Sequence, residues 1–204
     1  MSFTGIFKAD HGLIALADSK ASIKEDGTYI ENIGRNPEKL FVFTNGVAVT
    51  YGANQILVQN PNRLFSQKIN LEDLVYEYLT KHHTLDLNFF QDLLIKMRSN
   101  PANDEPINFL IGRKIRANEY LMEHHYVGYN YYAQRIGSNT DHYFIGGAEL
   151  YKLAFDQLNY SPYMASAQNL RKFVAAKLEE FVKFYDQTLP YNPVGGSIKS
   201  YILE

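Results

Sequence analysis

Ala9-Asp10-His11-Gly12-Leu13-Ile14-Ala15-Leu16-Ala17-Asp18-Ser19-Lys20-Ala21 is the stretch on which the reading of this chain turns. Its first four residues have hairpin-turn chemistry, because the short polar Asp suits turn geometry and Gly carries no Cβ. The flanking runs, Phe3 to Lys8 and Leu13 to Asp18, are short and β-compatible, so they are expected to pair as strands. A second hairpin is expected to join Lys39–Thr44 to Val47–Tyr51 through Asn45-Gly46, two residues that both tolerate positive φ. Between the two pairs, Ser22 to Pro37 reads as a polar excursion containing Gly27 and Gly34.

Beyond Gly52 the apolar period lengthens from two to nearly four, which predicts helices over Leu71–His82 and Leu85–Met97. In the first, Leu71, Leu74, Val75 and Leu79 form the stripe, Asn70 suits the N-cap, and Glu72 and Asp73 put negative charge in the first turn. Strands are expected to resume around Ile107–Gly112, Glu119–Glu123 and His142–Ile145. A short helix over Glu149–Leu158, a longer one over Ser166–Tyr185 and a last strand over Ser197–Leu203 complete the order. Strands, two helices, strands, two helices and a strand suit two sheets stacked between layers of helix.

Composition bounds the function. A chain of 204 residues with 46% apolar content is long enough for one sizeable core and short for two domains. Its 20 basic and 22 acidic side chains give a net charge of −2, so no global attraction to nucleic acid or an anionic membrane is expected. No apolar run approaches bilayer length and no secretory pattern opens the chain, so a cytoplasmic protein is expected. With no cysteine there is no disulfide, thiolate nucleophile or cysteine zinc site. The 16 Tyr and 13 Phe, without Trp, predict a core and clefts rich in aromatic rings.

The stretch from Ala9 to Ala21 resembles the opening of proteasome β subunits and their bacterial relatives, in which a hairpin delivers an Ala-Asp-Ser-Arg-Ala-like segment to the active site. Counting back from Asp18 puts Ser2 at the family's N-terminal nucleophilic threonine. Asn36-Pro37-Glu38-Lys39-Leu40-Phe41 is similar to the lysine-bearing strand, with Lys39 at the catalytic lysine. Val49-Thr50-Tyr51-Gly52-Ala53 is similar to the segment whose glycine N–H forms the oxyanion hole, which makes Gly52 the candidate donor. Ile145-Gly146-Gly147-Ala148 and Val194-Gly195-Gly196-Ser197-Ile198 resemble two later landmarks, so the likeness runs through essentially the whole chain.

The resemblance implies an α+β fold, a four-layer αββα sandwich of the N-terminal-nucleophile (Ntn) hydrolase type, as a single domain over residues 1–204. It also implies acyl transfer from an amide or peptide to water. A terminal Ser2, exposed once Met1 is removed, would pass its hydroxyl proton to its own α-amine, whose ordinary pKa is about 8. Lys39 would lower the pKa of its neighbours, Asp18 would hold Lys39 charged and oriented, and Gly52 N–H would face the oxyanion, a contribution of roughly 3 kcal/mol. No cofactor and no metal are called for, and a homo-oligomer is expected, since the family builds rings or stacked dimers.

Departures from the pattern sustain a competing reading. Where the family carries supporting serines, this chain has Gly147 and Val194, and Asp186 matches the last supporting aspartate only loosely across the loop Gln187–Pro193. A catalytically silent member of the fold, acting as an assembly or binding module, fits those departures. Ser2 also reads as an ordinary terminus, Asp18 as a strand end, Lys39 as a surface lysine and Gly52 as a turn glycine. The pairs His82-His83 and His124-His125 make poor metal clamps, because adjacent side chains diverge. The tyrosines of His124–Tyr132 read either as a groove or interface lining or as strand residues packed on a sheet. Gly146-Gly147 lacks the spacing of a phosphate loop, so no nucleotide is expected.

Overall fold

The hairpin expected around residues 9–12 forms, and it sits at the centre of a sheet. The computed structural model describes residues 2–25, 28–31, 36–59, 65–146 and 149–204. Strands β1 (Thr4–Ala9) and β2 (Gly12–Ala17) pair antiparallel from Thr4↔Ala17 to Ala9↔Gly12, leaving Asp10 and His11 as the turn. The segment expected to be a polar excursion contains a second hairpin, β3 (Ser22–Glu25) with β4 (Thr28–Glu31). Gly27 and Gly34 lie outside the described residues.

Strands β5 (Leu40–Phe43) and β6 (Gly46–Gly52) make the hairpin signalled by Asn45-Gly46, with the turn one residue earlier than expected. Thr44 and Asn45 occupy the turn, Asn45 at φ 55, while Gly46 already pairs with Phe43. A Cβ at Gly46 would come within 2.1 Å of the Phe43 ring, so the glycine serves ring packing rather than turn geometry. The chain then forms a hairpin absent from the sequence reading, β7 (Gln55–Gln59) with β8 (Ser66–Asn70).

Helices α1 (Leu71–His82) and α2 (Leu87–Arg98) follow as their apolar spacing predicts. Asn70 occupies the N-cap position of α1, but its side chain caps nothing. It accepts from Gln55 Nε2 at 2.8 Å and donates to Asp73 Oδ2 at 2.7 Å. The effective cap belongs to α2, where Asp86 Oδ1 accepts from the amides of Asn88 and Phe89 at 3.0 and 3.2 Å and from Tyr78 Oη at 2.6 Å. Asp86→Ala is expected to cost about 1 kcal/mol, a fall of roughly 2–4 °C in thermal midpoint, whereas Asn70→Ala should do much less.

The long strands β9 (Ile107–Arg116) and β10 (Glu119–Val127) and the short β11 (Tyr131–Arg135) and β12 (His142–Ile145) come next. Helix α3 (Glu149–Asp156), helix α4 (Ala167–Thr188) and strand β13 (Lys199–Leu203) close the order. Two larger sheets result, ordered β12-β1-β2-β13 and β11-β10-β9-β6-β5, with every pairing antiparallel.

Alternation along the central strands explains how the layers meet. Ile14 and Leu16 of β2 join Phe7, Tyr151, Phe155, Leu170, Val174 and Leu178 in a core beneath α3 and α4. Leu13 and Ala15 point the other way and meet Val47, Val49 and Leu110 of the second sheet. From that sheet, Ala48, Phe109 and Ile111 pack against Val75, Leu79, Phe90 and Leu93 of α1 and α2. Because successive strand residues face opposite sides, a strand covered on both faces must be apolar at every position, as Gly12–Ala17 is. The described residues thus form a mixed α/β fold with antiparallel sheets and four helices. No helix among them is long and apolar enough to cross a membrane.

Candidate functional site

The end of β2 and the start of β5 converge on the chain terminus. Asp18, the first residue after β2, is 1% exposed and Lys39, just before β5, is 6% exposed. Lys39 Nζ donates to Ser2 Oγ at 2.7 Å, to Asp18 Oδ1 at 3.2 Å and to the carbonyl oxygen of Lys20 at 2.7 Å. All three ammonium hydrogens therefore have acceptors, which is what keeps a buried lysine tolerable.

Asp18 is held by the backbone. Its Oδ1 also accepts from the Phe3 amide at 2.9 Å, and its Oδ2 accepts from Lys20 N at 3.1 Å and Gly195 N at 3.3 Å. The Phe3 contact ties the residue after Ser2 to the residue before Ser19, so the hydroxyl and the carboxylate keep a common frame. The Gly195-Gly196 landmark acts through the same strap: Ser19 N and Lys20 N donate to Gly195 O, and Ser19 Oγ accepts from Ser197 N at 2.8 Å. Ser19 and Gly195 are positioning groups, quoted in the sequence reading without a role. Their signal was the glycine pair itself, read as a landmark without a partner.

Burial shifts both titrating groups toward neutrality. Loss of water pulls the Lys39 ammonium below its ordinary pKa, opposed by the Asp18 charge. The same loss pushes the Asp18 carboxyl up, opposed by Lys39 and by the Phe3 and Gly195 amides. The gap between amine and carboxylate narrows, so Lys39 gives up its proton more readily than a solvated lysine and its neutral amine is more accessible.

Ser2, Lys39 and Gly52 line one cavity of about 560 Å³, together with Thr50, Tyr51, Ala53 and Glu72 among others. Gly52 ends β6 with φ +104, and a Cβ there would lie 1.9 Å from the carbonyl oxygen of Pro106. At Gly146, with φ +131, a Cβ would come within 2.4 Å of the Ser2 carbonyl oxygen. The absence of a side chain there lets the Ser2 backbone lie against the end of β12. The four expected site residues are thus brought together, three on the cavity wall and Asp18 behind Lys39.

The remaining expectations fall elsewhere. Gly147 lies outside the described residues. Val194 is fully buried in the core under α3 and α4 and offers no hydroxyl. Asp186 is not on the cavity wall; it accepts from Asn192 Nδ2 at 2.9 Å. Asn192 in turn accepts from Tyr151 Oη at 2.8 Å and from Val194 N at 3.2 Å, so Asp186 braces the strap from behind. His124 and His125 diverge across β10, the first meeting Asn108 Oδ1 at 2.9 Å and the second stacking on Phe90 at 4.3 Å between centroids. His82 and His83 close α1, with His83 at φ 59. Among the described residues no three His, Asp or Glu side chains are grouped to hold a metal ion. None of Tyr126, Tyr129, Tyr131 and Tyr132 lines the cavity; Tyr126 and Tyr132 stack at 4.8 Å on the second sheet.

No family model and no curated protein matches the chain. Solved structures do. Anbu (ancestral beta-subunit) from Yersinia bercovieri aligns with a TM-score of 0.57 at 16% identity, covering 98% of this chain and 80% of that one. Anbu from Hyphomicrobium sp. strain MC1 aligns at 0.51 and 16%, covering 99% and 82%. The helical assembly of the Anbu complex from Pseudomonas aeruginosa aligns at 0.53 and 14%, covering 98% and 80%. These likenesses extend to the fold alone. They correct the expected resemblance to a proteasome β subunit: these neighbours are Anbu proteins, a proteasome-related fold, and identities of 14–17% are too low to carry a β-subunit assignment.

Proposed function

We propose that the cavity is a hydrolase site of the N-terminal-nucleophile type, cleaving amide or peptide bonds, in one domain arranged as a four-layer αββα sandwich. The observation that carries this reading is the contact of Lys39 Nζ with both Ser2 Oγ, at 2.7 Å, and Asp18 Oδ1, at 3.2 Å, beside a cavity large enough for a peptide segment. The three core clusters, one between the sheets and one under each helix pair, support the layered arrangement.

In this reading Ser2 Oγ attacks the carbonyl carbon while its proton passes to a nitrogen base. The oxyanion is met by Gly52 N–H, collapse expels the amine carrying the proton, and water then cleaves the ester. Two nitrogens qualify as base. The Ser2 α-amine serves once Met1 is removed. Lys39 Nζ, at 2.7 Å and with its pKa lowered, serves once it has released a proton and is a neutral amine, in either form of the chain.

The test is labelling by a fluorophosphonate together with the intact mass of protein from the native host. Labelling is expected on wild type and is expected to fall to background in Ser2→Ala, with the fold unchanged by circular dichroism. A chain that retains Met1 and is still labelled at Ser2 assigns the base to Lys39 and removes the N-terminal-nucleophile type while keeping the hydrolase. Equal labelling of Ser2→Ala, or none of wild type, removes the hydrolase reading.

Val194, buried where a supporting serine is expected, favours the second reading, a silent assembly or binding module. Under either reading the chain is proposed to self-associate, as the P. aeruginosa Anbu protein does in its helical assembly.

A further inference from the structure

The segment 189–198 joins α4 to β13 without regular secondary structure, yet Asn192, Pro193, Val194 and Gly195 within it are buried. Buried backbone outside a helix or sheet needs partners from side chains. Gly195 and Ser197 find theirs in Asp18 and Ser19, and the Val194 amide donates to Asn192 Oδ1 at 3.2 Å.

Asn192, 5% exposed, uses its whole amide. Its Oδ1 also accepts from Tyr151 Oη of α3 at 2.8 Å. Its Nδ2 donates to Asp186 Oδ1 at 2.9 Å and to the Val182 carbonyl oxygen at 3.3 Å, both on α4. Two lone pairs and two hydrogens are thereby matched, and because Val194 N–H can only donate, the amide has one orientation. A single side chain pins the strap to both outer helices.

The far end of the strap reaches the lysine. Gly195 N donates to Asp18 Oδ2, and Gly195 O accepts from Lys20 N. Asp18 Oδ1 and the Lys20 carbonyl oxygen are two of the three acceptors of the Lys39 ammonium, the third being Ser2 Oγ. A shift at Gly195 therefore moves two of the three groups that aim the nitrogen. Neither Tyr151 nor Asn192 lies on the cavity wall, so their effect on the chemistry passes through the strap.

We infer that Asn192, held by the Tyr151 hydroxyl, is a positioning residue of the site: by fixing Gly195 it sets the place of Lys39 Nζ beside Ser2 Oγ. The inference rests on the hydrolase reading for the use made of that nitrogen, and adds to it the contact with the outer helices that holds the nitrogen in place.

The test compares Tyr151→Phe and Asn192→Leu with Asp86→Ala, which loses a helix cap away from the cavity. Tyr151→Phe deletes only the hydroxyl and keeps the ring that packs on Tyr185 at 4.8 Å, so it is expected to fold whether or not Asn192→Leu does. The place of Lys39 is read from the nuclear magnetic resonance signal of its ε-methylene in protein with isotope-labelled lysine, assigned by its absence from Lys39→Met. That signal is expected to move in Tyr151→Phe and in Asn192→Leu and to stay put in Asp86→Ala. The rate of fluorophosphonate labelling at Ser2 is expected to fall about threefold in Tyr151→Phe and about tenfold in Asn192→Leu, with Asp86→Ala at the wild-type rate. A Lys39 signal displaced no more than in Asp86→Ala overturns the inference, even where labelling falls. So does a wild-type labelling rate in both variants. If the wild-type chain itself is not labelled, the hydrolase reading falls alone, and the Lys39 signal decides the inference.

Discussion

Asp18→Ala is expected to cost the fold about 3–5 kcal/mol, because it strips a counter-ion and an acceptor for three amides from a buried site in one step. The carboxylate is 1% exposed and accepts from Phe3, Lys20 and Gly195 as well as from Lys39 Nζ. Its loss leaves the Lys39 ammonium, 6% exposed, facing only a hydroxyl and a carbonyl. For a chain of this length the thermal midpoint should fall by roughly 10 °C, read by calorimetry.

The sign of the pH dependence follows from the Lys39 shift. Its pKa is lowered in the folded chain, and losing Asp18 lowers it further, since the Asp18 charge is what opposes the effect of burial. Between that lowered value and the ordinary 10.5 the unfolded chain binds more protons, so stability of the variant rises with pH across that window. The deficit against wild type should therefore shrink as pH rises from the variant's Lys39 value to that of wild type, and stay constant above it. Asp18→Ala/Lys39→Met should be more stable than the sum of the single losses, with a coupling of about 1–3 kcal/mol. A single variant melting within a degree of wild type would show that water replaces the carboxylate freely and that the site is not dry.

Gly52→Ala is expected to lose about 2–4 kcal/mol. Alanine at φ +104 is strained, and its Cβ would stand 1.9 Å from the Pro106 oxygen, a backbone atom just ahead of the paired strand β9 that cannot swing aside. The strain should be relieved by splaying the end of β6 from β9, which moves the cavity wall that carries Tyr51 and Ala53. Fluorophosphonate labelling of Ser2 should therefore fall along with stability. Gly137→Ala is the control: its nearest atom, Thr140 Oγ1, is 3.7 Å from the ideal Cβ, so melting should be unchanged within about 0.5 kcal/mol. Equal losses at both glycines would show that the cost does not come from the Pro106 contact, since the unfolded-chain effect of Gly→Ala is stabilising.

Local chemistry carried a good part of the fold. The β1–β2 hairpin, α1, α2 and α4 follow from turn residues and apolar spacing, because those signals act within a few residues along the chain. The β7–β8 hairpin escaped because only Ile56 on it is deeply buried, and β8, reading SQKIN, shows almost no apolar face. β11 escaped because it is an edge strand whose residues are mostly exposed. The extension of β10 to Val127 was hidden in His124–Tyr126, where polar aromatic residues pack both faces of a sheet.

The sequence by itself determined which residues are available for the site: a hydroxyl at position 2, a carboxylate ending an apolar strand at 18, a lysine opening the next hairpin at 39 and a glycine closing it at 52. What it did not contain is the distance between them. Ser2, Asp18 and Lys39 are separated by 16 and 21 residues, and only the pairing of β1 with β2 and the stacking of the two sheets bring Lys39 Nζ to 2.7 Å from one and 3.2 Å from the other. The tertiary structure also decided the state of that lysine. A side chain that water would keep charged is shifted toward neutrality because the same packing that positions it removes the solvent around it.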